Sequence, residues 1–468
     1  MSTLFHEDTL LTGTGADAVA RALFEVASGL PLICPHGHTD PAWFAQDGAF
    51  PDPAALIVTP DHYVTRMFAS QGLGPELFGV RGTDGADQDE DPRTIWRRFA
   101  EHWYLFRGTP TRLWLDISFQ RLFGITEPLT PQTADDIYDR IAAALATPEF
   151  RPRALYERFD IEVLATTDNA LDPLDHHRAI ADSGWSGRVI PTYRPDQITD
   201  PDHEGFAAAL DDLGDMTGED TGTWRGYLAA HHSRRACFRA QGATATDHGV
   251  PDAVTADLER DTAAALFDRV RCGRADASDH ALFRAQMLTE MARMSAEDGM
   301  VMQIHPGSYR NHNQEVFKRF GRDKGYDIPT QTEFTRSLHP LLNALGNEPR
   351  LRIVLFTLDE TAYARELAPL AGAWPSLVLG PAWWFHDSAE GMRRFREMTT
   401  ETAGIYNTAG FNDDTRAFPS IPARHEVARR VDCAWLARMV ADHRLREDEA
   451  FDMIEDLTCG LARRTYRL

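Results

Sequence analysis

Short runs of Val, Ile and Leu recur along this chain, each too brief for a buried helix and each separated from the next by residues with helical spacing. They fall at 31–34, 161–166, 189–193, 300–304, 351–356 and 377–380, with a weaker run at 407–411. Such runs read as strands buried on both faces, and strands that alternate with helices form a parallel sheet. Amphipathic helices are legible too: Phe283, Met287, Leu288 and Met291 share one face, as do Trp435, Leu436, Met439 and Val440. The pattern predicts an α/β fold, a (β/α)8 barrel with seven of its eight strands visible. Two intervals, about 41–160 and 195–299, are too long for one crossover, so each should carry inserted helical elements within a single barrel domain spanning 1–468. The acidic stretch GTDGADQDEDP at 82–92 reads as a solvated loop. No internal repeat is apparent.

Function is written where these runs end. The first leads into Pro35-His36-Gly37-His38-Thr39-Asp40, the second into Thr166-Thr167-Asp168, and the third into Tyr193-Arg194-Pro195-Asp196. The 300–304 run leads into His305, and the last into Asn412-Asp413-Asp414-Thr415-Arg416. In a (β/α)8 barrel the C-terminal strand ends converge on one site, which would gather three histidines, an aspartate and two arginines. His36 and His38 stand two apart on an extended segment, so both rings point to one side, as ligation of one divalent cation requires. Taken alone, such a pair is more often coincidental; at the end of a first strand, opposite Asp414, ligation becomes the better reading. His305 reads equally as a ligand or as a hydrogen-bonded core histidine. Asp414 reads as a ligand, with a loop salt bridge to Arg416 as the bland alternative. Arg194 could pair with Asp196 or present its fork to an anion. Of Trp383-Trp384-Phe385, one ring belongs to the core, while another could wall a pocket or stack on a sugar. Asp61-His62-Tyr63 says nothing by itself.

Charge and composition restrict partners. Acidic residues number 71 against 48 basic, a net charge of −23, which repels phosphate backbones and anionic membrane faces. Nucleic acid and membrane are therefore excluded as expected partners, and a small anionic substrate would need arginines of its own. Five scattered cysteines without a CxxC pair suggest neither a disulfide framework nor a thiolate zinc site, and fit a reducing compartment. The first residues lack a targeting pattern and no apolar run is long enough to span a bilayer, so a cytoplasmic protein is expected. Walker, dinucleotide and nucleophile-elbow signatures are missing, which disfavours a nucleotide cofactor.

Taken in order, the segments resemble the uronate isomerases, a branch of the amidohydrolase superfamily. The matching segments are HGH at His36–His38, DHY at Asp61–Tyr63 followed by Arg66, FGIT at Phe123–Thr126 and TAD at Thr133–Asp135. They continue as TTD at Thr166–Asp168, RPD at Arg194–Asp196, DH at Asp247–His248, and QIH then RN at Gln303–Asn311. GPAWWF at Gly380–Phe385 and DTR then RHE at Asp414–Glu426 complete the series. Each is weak alone; their order is specific. The resemblance implies a distorted barrel with added helices and reversible aldose–ketose conversion of D-glucuronate to D-fructuronate, D-galacturonate to D-tagaturonate, or both. It implies one divalent metal, zinc or manganese among the candidates, held by His36, His38 and Asp414, with His305 as a further ligand or neighbour. It makes Asp414, Tyr63 and Arg416 catalytic, with Tyr63 serving at the carbon if nearby cations lower its pKa. It brings Arg194, Trp384, His62, Arg310 and Asp168 to the hexuronate, and a homo-oligomer is expected. Asn169, Asp359, His386 and the Asn412-Asp413 pair depart from the family pattern close to the expected pocket. Two other readings remain at this point: a mononuclear hydrolase or decarboxylase of the same superfamily acting on a small carboxylate, and a non-catalytic sugar-acid-binding barrel.

Overall fold

Six of the apolar runs are strands in a computed structural model that describes residues 4–85 and 91–468. In chain order they are β1 (Leu32–Cys34), β2 (Ile161–Ala165, resuming at Asp168–Asn169), β3 (Val189–Ile190, resuming at Tyr193–Arg194), β5 (Val301–Pro306), β6 (Ile353–Leu355) and β7 (Leu377–Leu379). The unseen strand, β4 (Ala245–Val250), lies in the second long interval, between the helices Trp224–Ala240 and Arg260–Arg271. It escaped a search for apolar runs because Thr246, Asp247 and His248 are fully buried polar residues, so this part of the barrel wall faces chemistry instead of hydrocarbon.

All barrel pairings are parallel, in the order β1–β2–β3–β4–β5–β6–β7. β2 and β3 each break for two residues and then resume, and the resumed halves carry the sheet on to β4. The weak 407–411 run occupies the eighth position with a single parallel bridge, Thr408 to Leu379. Closure against β1 is made by one backbone bond, the His38 amide donating to the Thr415 carbonyl at 2.9 Å. Sparse pairing at that seam is the distortion of the barrel. The C-terminal Leu461–Tyr466 helix fills the interior nearby: Asn412 donates to the Tyr466 hydroxyl, which donates in turn to Gln303.

The first long interval is helical. Four of its helices begin with proline preceded by a capping side chain: Asp40 before Pro41–Gln46, Asp52 before Pro53–Ile57, Asp91 before Pro92–Glu101 and Thr109 before Pro110–Arg121. Proline at the first turn forfeits no helical bond and the cap accepts an otherwise orphaned amide, so these junctions are fixed locally. The helices close over an aromatic core that includes Phe68, Phe78, Trp96, Phe99, Phe106 and Phe119. Asp61 caps the helix His62–Ala69 through the Tyr63 amide and thereby aims Tyr63 inward. Part of the acidic 82–92 stretch, residues 86–90, lies outside the described residues. No helix of the described residues is long and apolar enough to cross a membrane.

A buried bidentate pair, Arg396 to Asp432 at 2.7 and 2.9 Å, ties the helix Ala389–Ala403 to the helix Ile421–Ala441. Removing one member leaves a buried charge unpaired, so Arg396→Leu should lower stability by roughly 3–5 kcal/mol. Adding Asp432→Leu should recover most of the loss, as read from chemical-denaturation midpoints; a single variant as stable as the parent would contradict this role.

Candidate active site

A cavity of about 820 Å³ lies at the C-terminal ends of the strands, lined in part by Thr167 in the β2 break and by residues Asp414–Ala417. His36 and His38 reach it from the segment after β1, and their Nε2 atoms lie 3.4 and 3.1 Å from the same Asp414 oxygen, Oδ1. Asp414 adopts φ 45°, a left-handed conformation that aspartate tolerates, and this turn aims the carboxylate back at the histidines. The indole of Trp383 donates to its other oxygen at 2.9 Å. Burial alone would raise the Asp414 pKa, yet the two facing imidazoles hold it well below the usual carboxylate range.

Asp414 Oδ1 is buried without a hydrogen-bond partner. Three ligand-type atoms, from His36, His38 and Asp414, thus lie within 4.8 Å of one another. Two imidazole nitrogens and a carboxylate oxygen are an ordinary donor set for a divalent ion of zinc type, so the residues present fit the expected metal. His305 stacks on His36, its ring centroid 4.8 Å away, and Asp247 Oδ1 holds its Nδ1 at 2.6 Å. That leaves His305 Nε2 buried and unpaired. His305 groups with His36 and Asp247, and His36 also belongs to the group with His38 and Asp414, so it links the two.

The remaining expected residues divide. His62, Arg194, Arg310, Trp384 and Arg416 all line the cavity with Tyr63. Arg416 Nε is buried with no hydrogen-bond partner, so its guanidinium faces the cavity with bonding capacity to spare. Arg194 is engaged on both sides, with Asp196 at 2.8 Å and Asp247 at 3.2 Å, so the bland pairing with Asp196 and a cavity position are both realised. Arg310 donates to Asp327 at 2.8 Å and lies 6.0 Å from the centre of the Trp384 ring. Burial, then Arg416, pushes the His62 pKa down to about 3, so its ring is neutral.

Two expectations need correction. Tyr63 does not acquire a lowered pKa: burial, followed by the charge of Asp387, pushes its phenol well above the usual value. Its hydroxyl donates to Asp387 Oδ2 at 2.9 Å, and Arg424 donates to the same oxygen at 3.2 Å. Asp168 does not line the cavity. Its carboxylate turns behind the wall, accepting from the Thr166 hydroxyl and the Thr192 amide, while Thr167 and Asn169 on either side line the cavity instead. Strand alternation explains the reversal. Of the departures from the family pattern, Asn169 alone lines the cavity; Asp359 accepts from the Thr332 and Thr361 amides, His386 bonds the Leu358 carbonyl, and Asn412 donates to the Tyr466 hydroxyl. Residues not singled out as site candidates from the sequence are Asp247, Trp383, Asp387 and Arg424. Asp247, Trp383 and Arg424 did stand inside the quoted DH, GPAWWF and RHE segments, which was the available signal.

The fold and the site define a (β/α)8-type barrel enzyme whose strand-end residues could hold a divalent metal. The chain belongs to the glucuronate isomerase family, whose model matches residues 1–466. It is 63% identical over 451 residues to a uronate isomerase of Rhizobium meliloti, covering 96% of each chain. It is also similar to the crystal structure of glucuronate isomerase from Caulobacter crescentus, with 55% identity, TM-score 0.98, and 99% of this chain and 97% of that one covered. A uronate isomerase from Thermotoga maritima superposes with TM-score 0.91 at 28% identity over 99% of both chains. The chain is accordingly an aldose–ketose isomerase; the hydrolase and non-catalytic readings are not favoured.

Burial raises the Asp168 pKa to about 7 from the ordinary 3.8. The stability this neutral carboxyl contributes is complete below pH 3.8 and is lost as pH rises toward 7, because only the unfolded chain ionises freely in between. Asp168→Asn should therefore flatten the decline in melting temperature between pH 5 and 7, and an unchanged slope would contradict the assignment. Trp383→Phe removes a hydrogen bond to a proposed ligand and should weaken metal affinity or activity by about 10–100-fold. Chelator competition and rate measurements check it, and parent-like values in both would deny Trp383 this part.

Proposed function

We propose that this chain interconverts a hexuronate aldose and its 2-ketose, with D-glucuronate to D-fructuronate and D-galacturonate to D-tagaturonate as the reactions to expect. The observation that carries the reading is the convergence of His36 and His38 on Asp414 beside the unpaired Arg416 guanidinium, in a chain of this family. The reaction removes a proton from the hydroxyl-bearing carbon next to a carbonyl, returns one to the neighbouring carbon, and passes through an enediolate. His36, His38 and Asp414 would hold one divalent ion, zinc by donor type, which supplies Lewis-acid polarisation of the substrate oxygens when bound.

The chain's own groups account for the rest. Asp414 stays ionised and is the base that takes the carbon-bound proton and returns it to the neighbouring carbon, while the hydroxyl proton passes from one substrate oxygen to the other. Tyr63 is neutral, so it is better suited to donate a proton than to abstract one from carbon, and Asp387 with Arg424 keeps its hydroxyl oriented. Arg416 offers its free bonding capacity to the enediolate or the uronate carboxylate. Arg194, already paired with Asp196 and Asp247, serves as a fixed wall with one edge toward the sugar. Trp384 and His62, packed edge to face at 5.1 Å, form an apolar side that keeps water from the reacting carbons.

Incubation with glucuronate or galacturonate in deuterated water should yield the ketose with solvent deuterium at the exchanging carbon. His36→Ala should lose both metal and turnover, and Asp414→Asn should lose turnover by at least about 100-fold. No ketose from either sugar at full metal occupancy, or a His36→Ala protein that keeps its metal and its rate, would overturn the proposal.

A further inference from the structure

A second set of ligand-type side chains converges beneath the first. Cys34 ends β1, Asp413 precedes Asp414, and His425 lies on the helix Ile421–Ala441. All three are buried, their donor atoms lie within 4.8 Å of one another, and none lines the cavity. Cys34 Sγ lies 3.7 Å from His425 Nε2, which lies 3.4 Å from Asp413 Oδ2. The nitrogen–oxygen separation is long for a charge-assisted hydrogen bond, which draws its partners to about 2.7–2.9 Å. A tetrahedral zinc ion at its usual bond lengths would separate sulfur from nitrogen by about 3.6 Å and nitrogen from oxygen by about 3.3 Å. The observed spacings match those edges, as do the 3.1 and 3.4 Å separations at the first site.

Charge points the same way. Among the described residues, the ion-pair partner of the buried Asp413 carboxylate is His425 alone, since Arg424 donates to the Asp413 backbone carbonyl instead. Arg429, the nearby cation, donates to the Pro31 carbonyl instead of pairing with Asp413. A carboxylate and a thiolate together would balance a divalent ion, with the thiol proton released on binding.

We propose that Cys34, Asp413 and His425 form a second divalent-metal site, of zinc type and structural in role, with water in the remaining coordination position. It joins β1, the loop that carries Asp414, and the helix Ile421–Ala441, and so fixes the segments that present both halves of the catalytic ligand set. The sites share no side chain, so the second can be tested apart from uronate turnover.

Protein produced with cobalt as its divalent metal should hold two ions per chain and show a near-ultraviolet sulfur-to-cobalt charge-transfer band. Cys34→Ser should hold one ion and lose the band, His425→Gln should also fall to one ion, and His36→Ala should keep one ion with the band. If His36→Ala does not fold, the wild-type stoichiometry and the Cys34→Ser spectrum decide the matter. One ion per chain without a sulfur band in the wild type, or a band that persists in Cys34→Ser, would overturn the proposal and leave the three residues a hydrogen-bonded cluster.

Discussion

The approach of two imidazoles to one carboxylate oxygen, across the seam where the barrel closes with a single backbone hydrogen bond, is the constraint on which the site depends. His36 and His38 belong to one side of that seam and Asp414 to the other, and the His38 amide on the Thr415 carbonyl holds the sides in register. A carboxylate buried there would protonate without its partners. With them it stays charged, at the cost of a left-handed backbone at Asp414 and with a tryptophan donor on its second oxygen.

From that contact outward, the barrel wall is built to keep charges paired and directional. Asp247, on the strand that carries little hydrocarbon, spends one oxygen on His305 and faces Arg194 with the other. Burial opposes its charge, but His305 and Arg194 hold it well below the carboxylate range, so it remains an anion that orients a neutral imidazole. On the opposite wall, Arg424 lies 3.9 Å above the Trp114 ring and donates to Asp387, which fixes the Tyr63 hydroxyl. Arg194, Arg310 and Arg424 are each held in an ion pair, whereas Arg416, its Nε buried and unpaired, is left to meet an anion.

Much of this was legible from the chain alone, and the reasons are physical. Strands buried on both faces leave continuous apolar runs, which is why β1, β2, β3, β5, β6 and β7 were visible and the ligand-bearing ends after them could be lined up. β4 was hidden because its buried residues are polar. The eighth position was faint because it pairs through Thr408 only. His36, His38 and Asp414 converge as their placement at strand ends implied, whereas Asp168 does not reach the cavity, since one residue of register turns a strand side chain to the opposite face. The Tyr63 phenol could not be judged from sequence either, because its pKa depends on Asp387, 324 positions away.

The most direct test of the central contact is anomalous diffraction, at the absorption edge of the bound metal, from crystals grown with a uronate. The expected result is a peak within about 2.0–2.2 Å of His36 Nε2, His38 Nε2 and an Asp414 oxygen, with the sugar beside it in the cavity. A metal bound elsewhere, or Asp414 turned away from both histidines while the site is filled, would contradict it.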